Sequence, residues 1–197
     1  MLTNAADNGI MGAGENNSNV KTGDTDGMTT ITDIKPIDFN DKAAIKKEID
    51  DFCSKYAYAE VEHALVISPN GSMYSLIGNE RDVNSLIVGK DALKGSIGIH
   101  NHPIQNGGIM GDSFSLKDLK LANENEAGMQ YIASGIRRDA FELTEYHSIE
   151  IETIWDKARY KMWERHDIND TNVIFEQQDI LRELMNYLKG FEYHENV

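Results

Sequence analysis

Apolar positions along the chain change their spacing several times, and each change marks an element. Up to about Thr30 the residues are mostly Gly, Asn, Asp, Thr and Ser. Such a stretch cannot offset its ordering entropy by burial, so residues 1–38 are expected to form a disordered leader or linker. Beyond it, Ile45, Ile49, Phe52, Cys53 and Tyr56 recur at helical spacing and predict a helix opened by Asp41 and running to about Tyr58. Two short apolar runs, Ala64 to Ser68 and Ser72 to Ile77, flank Asn70-Gly71, which predicts a hairpin. Asn84 to Leu93 reads as a loop or short helix. Lys94 to His102 reads as a central strand, and Ile104 to Asp112 as a Gly-rich loop. Ser115 predicts the N-cap of a helix reaching Ala127, with Gly128 as its C′ residue. Met129 to Gly135 and Ala140 to Tyr146 predict two more strands around an Arg137-Arg138-Asp139 turn. The period then lengthens. Ile151, Ile154, Trp155, Ala158 and Met162 mark one amphipathic helix, and Val173, Ile180, Leu181, Leu184, Met185 and Leu188 another that stops at Gly190. Neither helix carries catalytic spacing; packing on the sheet or on each other is the expected role, with partner binding as the alternative.

The strand ending in His100-Asn101-His102-Pro103 is the chemically distinctive stretch. In a strand, side chains two apart share a face with Cα atoms roughly 6.6 Å apart, so two imidazoles converge on one point. In a helix the same spacing turns them about 200° apart. Ile97, Ile99 and Asn101 fall on one face. Ser96, Gly98, His100 and His102 fall on the other, where the small residues leave room beside the rings. Pro103 lacks an N–H and ends the ladder.

Composition narrows the function classes. A chain of 197 residues with 19 Lys and Arg against 33 Asp and Glu has a formal net charge of -14, which opposes a duplex-DNA or anionic-membrane partner. Cys53 is the only cysteine, so no intrachain disulfide forms and a reduced, cytoplasmic setting is expected. Cys53 lies on the apolar face of its helix and reads as core rather than as a catalytic thiol. Neither a classical signal sequence nor an apolar run of about 18 residues is visible.

A catalytic zinc takes three protein ligands and leaves a fourth position for water. His100 and His102 supply two, and Asp118, in the first turn of the following helix, is the nearest plausible third. Mixed nitrogen and oxygen ligation suits zinc over magnesium or calcium, with iron and manganese left open. Glu62, just ahead of the first apolar strand, is the candidate general acid/base, and Glu60 is its competitor. Ser115 is placed to donate to a developing oxyanion. Each residue also has a structural reading. Ser115-x-x-Asp118 is a capping-box pattern, and His63 reads as a solvent-facing or core residue. His147, His166 and His194 lack a spacing partner and read as surface residues.

Taken together, Glu62, His100-x-His102-Pro103 and Ser115-x-x-Asp118 resemble the motif of the JAMM-type (MPN-domain) metallopeptidases, most of all their bacterial and phage branch with its RadC-like members. The resemblance spans about Asp41 to Tyr146. It implies an α/β (α+β) fold, a curved mixed sheet flanked by helices in a cytidine-deaminase-like arrangement. The domain would occupy residues 39–147, with a C-terminal helical extension over 148–197. It also implies zinc-dependent hydrolysis of a peptide or isopeptide bond in a protein substrate, with ubiquitin-like and phage proteins as the candidates. Carried over, His100, His102 and Asp118 are the ligands, Glu62 the general acid/base and Ser115 the oxyanion partner. The stretch from Pro103 to Phe114 holds twelve residues, more than the family pattern; the surplus lies in 106–111, and it makes Ser113 a rival to Ser115. Two other classes stay open: a non-catalytic interaction module of the same fold, and a RadC-like DNA-repair accessory, which the acidic charge opposes.

Overall fold

A computed structural model describes residues 29–104, 112–147, 151–165 and 176–197. Seven strands form one mixed sheet: β1 Thr30–Pro36, β2 His63–Ile67, β3 Ser72–Ile77, β4 Ile97–Asn101, β5 Gln130–Ser134, β6 Arg137–Leu143 and β7 Phe191–His194. Their spatial order is β1-β3-β2-β4-β5-β6-β7. Only β4 and β5 run parallel, and between them in sequence lies the helix α3, Leu116–Glu124. The other helices are α1 Lys42–Tyr56, α2 Lys90–Leu93, α4 Ile151–Arg165 and α5 Glu176–Leu184, with a 3₁₀ turn over Ser85–Val88.

Strand alternation sorts the apolar side chains onto two faces. Leu65, Ile67, Met73 and Ile99 meet Ile45, Ile49 and Phe52 of α1. The helix forms where the period predicts it, with the Asp41 carboxylate accepting the Ala43 and Ala44 N–H groups at 3.0 Å. The opposite face carries two clusters. Ala64, Val66 and Leu76 pack with Val83 and Leu93. Ile132, Phe141 and Leu143 pack with Phe114 and Leu119 and with Ile151, Trp155, Ala158, Ile180, Leu181 and Leu184 of α4 and α5. His100 stands on this second face, between the two clusters.

Four boundaries differ from those the sequence predicts. The expected leader over 1–38 overlaps β1: residues 30–36 form the edge strand paired with β3. Its side chains are mostly exposed and polar, as an edge that must not recruit another strand requires, so no apolar alternation marks it. The turn between β5 and β6 is Gly135-Ile136, not Arg137-Arg138-Asp139. Gly135 takes φ +62°, the first position of a two-residue hairpin turn that favours glycine, and Arg137 to Asp139 lie inside β6. The helix α3 ends at Glu124 with Asn125 as C-cap, three residues before Ala127. The left-handed residue is Glu126, at φ +52°. Gly128 instead serves close approach, since a Cβ there would stand 3.2 Å from the Ser96 carbonyl. The stretch 148–197 contains the two expected helices but closes with β7, which pairs with β6, and α4 and α5 share one core with α3 and the sheet. Residues 1–28, most of the Gly-rich loop (105–111), His166 and Val173 lie outside the described residues. Among the described residues no helix is long and apolar enough to cross a membrane.

Candidate metal centre

The first candidate ligand stands on the central strand. His100 pairs across β4 with Ala64 of β2 and Ile132 of β5, so its backbone is fixed from both sides. His102 follows the strand end and is held by its own backbone: its N–H donates to the Ala133 carbonyl at 3.2 Å, and its carbonyl accepts the Ser134 hydroxyl at 2.7 Å. Asp118 arrives from the first turn of α3. Its Oδ2 accepts both the Ser115 N–H and the Ser115 hydroxyl at 2.7 Å, which completes a capping box and leaves Oδ1 toward His100.

These three side chains converge. The Nε2 atoms of His100 and His102 lie 3.1 Å apart, His100 Nε2 is 3.4 Å from Asp118 Oδ1, and His102 Nε2 is 3.7 Å from Asp118 Oδ2. Ligand atoms at zinc-like bond lengths around a tetrahedral ion stand roughly 3.3–3.4 Å apart, so the observed spacings fit a single cation. The donor set fits as well. Two facing Nε2 lone pairs repel unless a proton or an ion lies between them, and burial holds the His100 imidazole well below its ordinary pKa, keeping it neutral as a ligand must be. Burial alone would raise the Asp118 carboxyl. Positive charge on the imidazoles when they are protonated, together with the Ser115 bonds, outweighs it and holds Asp118 below the ordinary carboxylate range. The triad could therefore hold a metal ion.

Glu62 faces the same pocket, of about 50 Å³, together with His100 and Asp118. Backbone bonds fix its position: its N–H donates to the Asn79 carbonyl at 2.7 Å and its carbonyl accepts the Gly78 N–H at 2.8 Å. Burial, then the nearby Asp118 and Asp82 carboxylates, push its pKa up to about 7, against the Lys117 ammonium and the Val83 N–H. Its competitor Glu60 is exposed and does not line this pocket. The rival Ser113 points away, its hydroxyl donating to the buried Asp139 carboxylate at 2.8 Å. Ser115 holds Asp118 rather than lining the pocket. His63 stacks on Tyr56 with ring centroids 3.9 Å apart and His194 is exposed. His147 differs from a plain surface residue, since its ring nitrogen meets the Lys189 carbonyl at 2.8 Å. Cys53 is half-buried beside the α1 core, with the Arg138 Nε 3.1 Å from its sulfur; burial raises the thiol pKa, against Arg138.

Three residues of this neighbourhood carry no motif in the sequence. Asn101, between the two ligands, is completely buried. Its Oδ1 accepts the His63 N–H at 2.7 Å and its Nδ2 donates to the Val61 carbonyl at 3.1 Å, so it grips the backbone on both sides of Glu62. Lys117 and Asp82 form an ion pair at the pocket rim. A polar residue on a strand's apolar face was the only available signal for Asn101; Lys117 and Asp82 offered none. Comparison of the chain with models of protein families, with curated proteins and with solved structures gives no match.

Proposed function

We propose that this chain is a zinc-dependent peptidase or isopeptidase of the JAMM type, close to the RadC-like branch, acting on a protein or peptide substrate in the cytoplasm. The observation that carries the reading is the meeting of two imidazoles and a carboxylate at ligand spacing, with the buried Glu62 facing the same pocket. A mixed sheet with α1 on one face, and α3 following the histidine strand, supports the family's architecture.

When bound, zinc supplies a Lewis acid and brings the pKa of a coordinated water toward about 7. His100, His102 and Asp118 would hold it. Glu62 would accept a proton from water and pass it to the departing amine. The pocket's apolar walls, Phe114, Leu121 and Phe141, limit the water that competes for that proton. In the resting arrangement the Ser115 hydroxyl proton is engaged with Asp118. Donation to an oxyanion requires the hydroxyl to rotate toward the pocket while the Ser115 N–H keeps the carboxylate in place.

The capping box favours a second reading, a non-catalytic module of the same fold, because it accounts for Ser115 and Asp118 without a metal. Elemental analysis separates the two. The purified chain should hold about one zinc, as a single three-ligand site requires, and the His100→Ala/His102→Ala variant none. Absence of metal after zinc is added back would overturn the enzyme reading.

A further inference from the structure

Gln130 opens β5 on the face that bears His100, and it lines the pocket shared by Glu62, His100 and Asp118. Its amide lies directly over Gly98, so close that a Cβ on residue 98 would stand 2.2 Å from Gln130 Oε1. Its Nε2 is buried and has no hydrogen-bond partner among the described residues. An unmet buried donor destabilises a fold, and a plain wall position here would be better filled by leucine or methionine. The neighbouring walls from Phe114, Leu121 and Phe141 are apolar. In pockets of this kind a few placed polar groups fix the orientation of what enters.

We infer that Gln130 is a substrate-binding residue, whose amide N–H donates to a backbone carbonyl of the substrate next to the bond being cleaved. The terminal amide turns about a soft sp³–sp² torsion, so the nitrogen can swing from Gly98 into the pocket. Gly98 is the second half of the device, because the amide has its place only while residue 98 lacks a side chain.

The inference rests on the metallohydrolase reading, and a pair of probes keeps the two apart. The cobalt-loaded protein is titrated with acetohydroxamate, which offers only a chelating group, and with N-acetylglycine hydroxamate, which adds a carbonyl one peptide unit away; the cobalt absorption band reports binding. Gln130→Leu should weaken the second probe about tenfold, the scale of one hydrogen bond left unmade, while leaving acetohydroxamate affinity and cobalt content within about twofold. Gly98→Ala, which displaces the amide without removing it, should give the same selective loss and stands in if Gln130→Leu does not fold. Equal effects on both probes, or none, would overturn the role of Gln130 and leave the metal site standing. Failure of the wild-type protein to take up cobalt, or of both hydroxamates to shift its band, would overturn the hydrolase reading and this inference with it.

Discussion

Glu62 shows what placing a carboxyl in a closed pocket costs the fold. Its pKa in the folded chain, about 7, lies above its ordinary 4.5, so between those values the native state binds more protons than the unfolded chain. Stability of the metal-free protein contributed by this group is therefore full below about pH 4.5 and declines as pH rises through 7. Glu62→Gln removes the ionisation while keeping the shape. Urea unfolding at pH 8 should show the metal-free variant more stable by roughly 1–3 kcal/mol, with a flatter dependence on pH, and elemental analysis should show its zinc retained. In a peptidase assay the same variant should lose roughly 10²–10⁴ of the rate. An unchanged pH profile would mean that the carboxyl is not held protonated in the fold.

At the scale of elements, α3 carries two functions in one motif. The Ser115 hydroxyl and N–H both hold Asp118 Oδ2, so the bonds that cap the helix also aim a candidate ligand. Ser115→Ala should cost about 1 kcal/mol of stability as a lost N-cap and weaken zinc binding roughly 10–100-fold as a lost supporting contact. Thermal unfolding of the metal-free chain and a competition titration with a zinc chelator measure the two separately. A stability loss with no change in zinc affinity would leave Ser115 with the cap alone. The elements best legible in the sequence were those whose signal is local. Asp41 and the Ile45, Ile49, Phe52 spacing locate α1, and Asn70-Gly71 locates the hairpin of β2 and β3. What escaped was set by partners far along the chain. β1 is polar because it is an edge, and Gly128 is small because Ser96 lies against it. Gln130 is unremarkable until Gly98 is placed beneath it. For the candidate site, the residue types and spacing were legible. The near-neutral pKa of Glu62 was not, because it depends on burial and on the approach of Asp118 and Asp82.

For the molecule as a whole, the C-terminal segment is part of the fold. Ile151, Trp155, Ala158, Ile180, Leu181 and Leu184 complete the cluster that includes Phe114 and Leu119, the residues on either side of Ser115 and Asp118. The buried Asp139 carboxylate ties the same regions together, accepting from Ser113 and Tyr193 at 2.8 Å, from the Arg137 guanidinium at 3.2 Å and from the Asn196 N–H at 3.3 Å. A fragment of residues 29–147, which keeps every proposed ligand and Glu62, should therefore show no cooperative thermal transition by circular dichroism. A sharp transition in that fragment would show instead that the segment is dispensable.

The grip of Asn101 on the backbone either side of Glu62 makes strand register a check on function. Moving β4 by one residue against β2 would exchange its faces, carrying the imidazoles into the α1 core and Asn101 out of reach of Val61 and His63. The candidate triad and the placement of Glu62 beside it would then be lost in a single step. On the proposed reading, a chain mispaired in this way would neither gather the three candidate ligands nor present Glu62 to them.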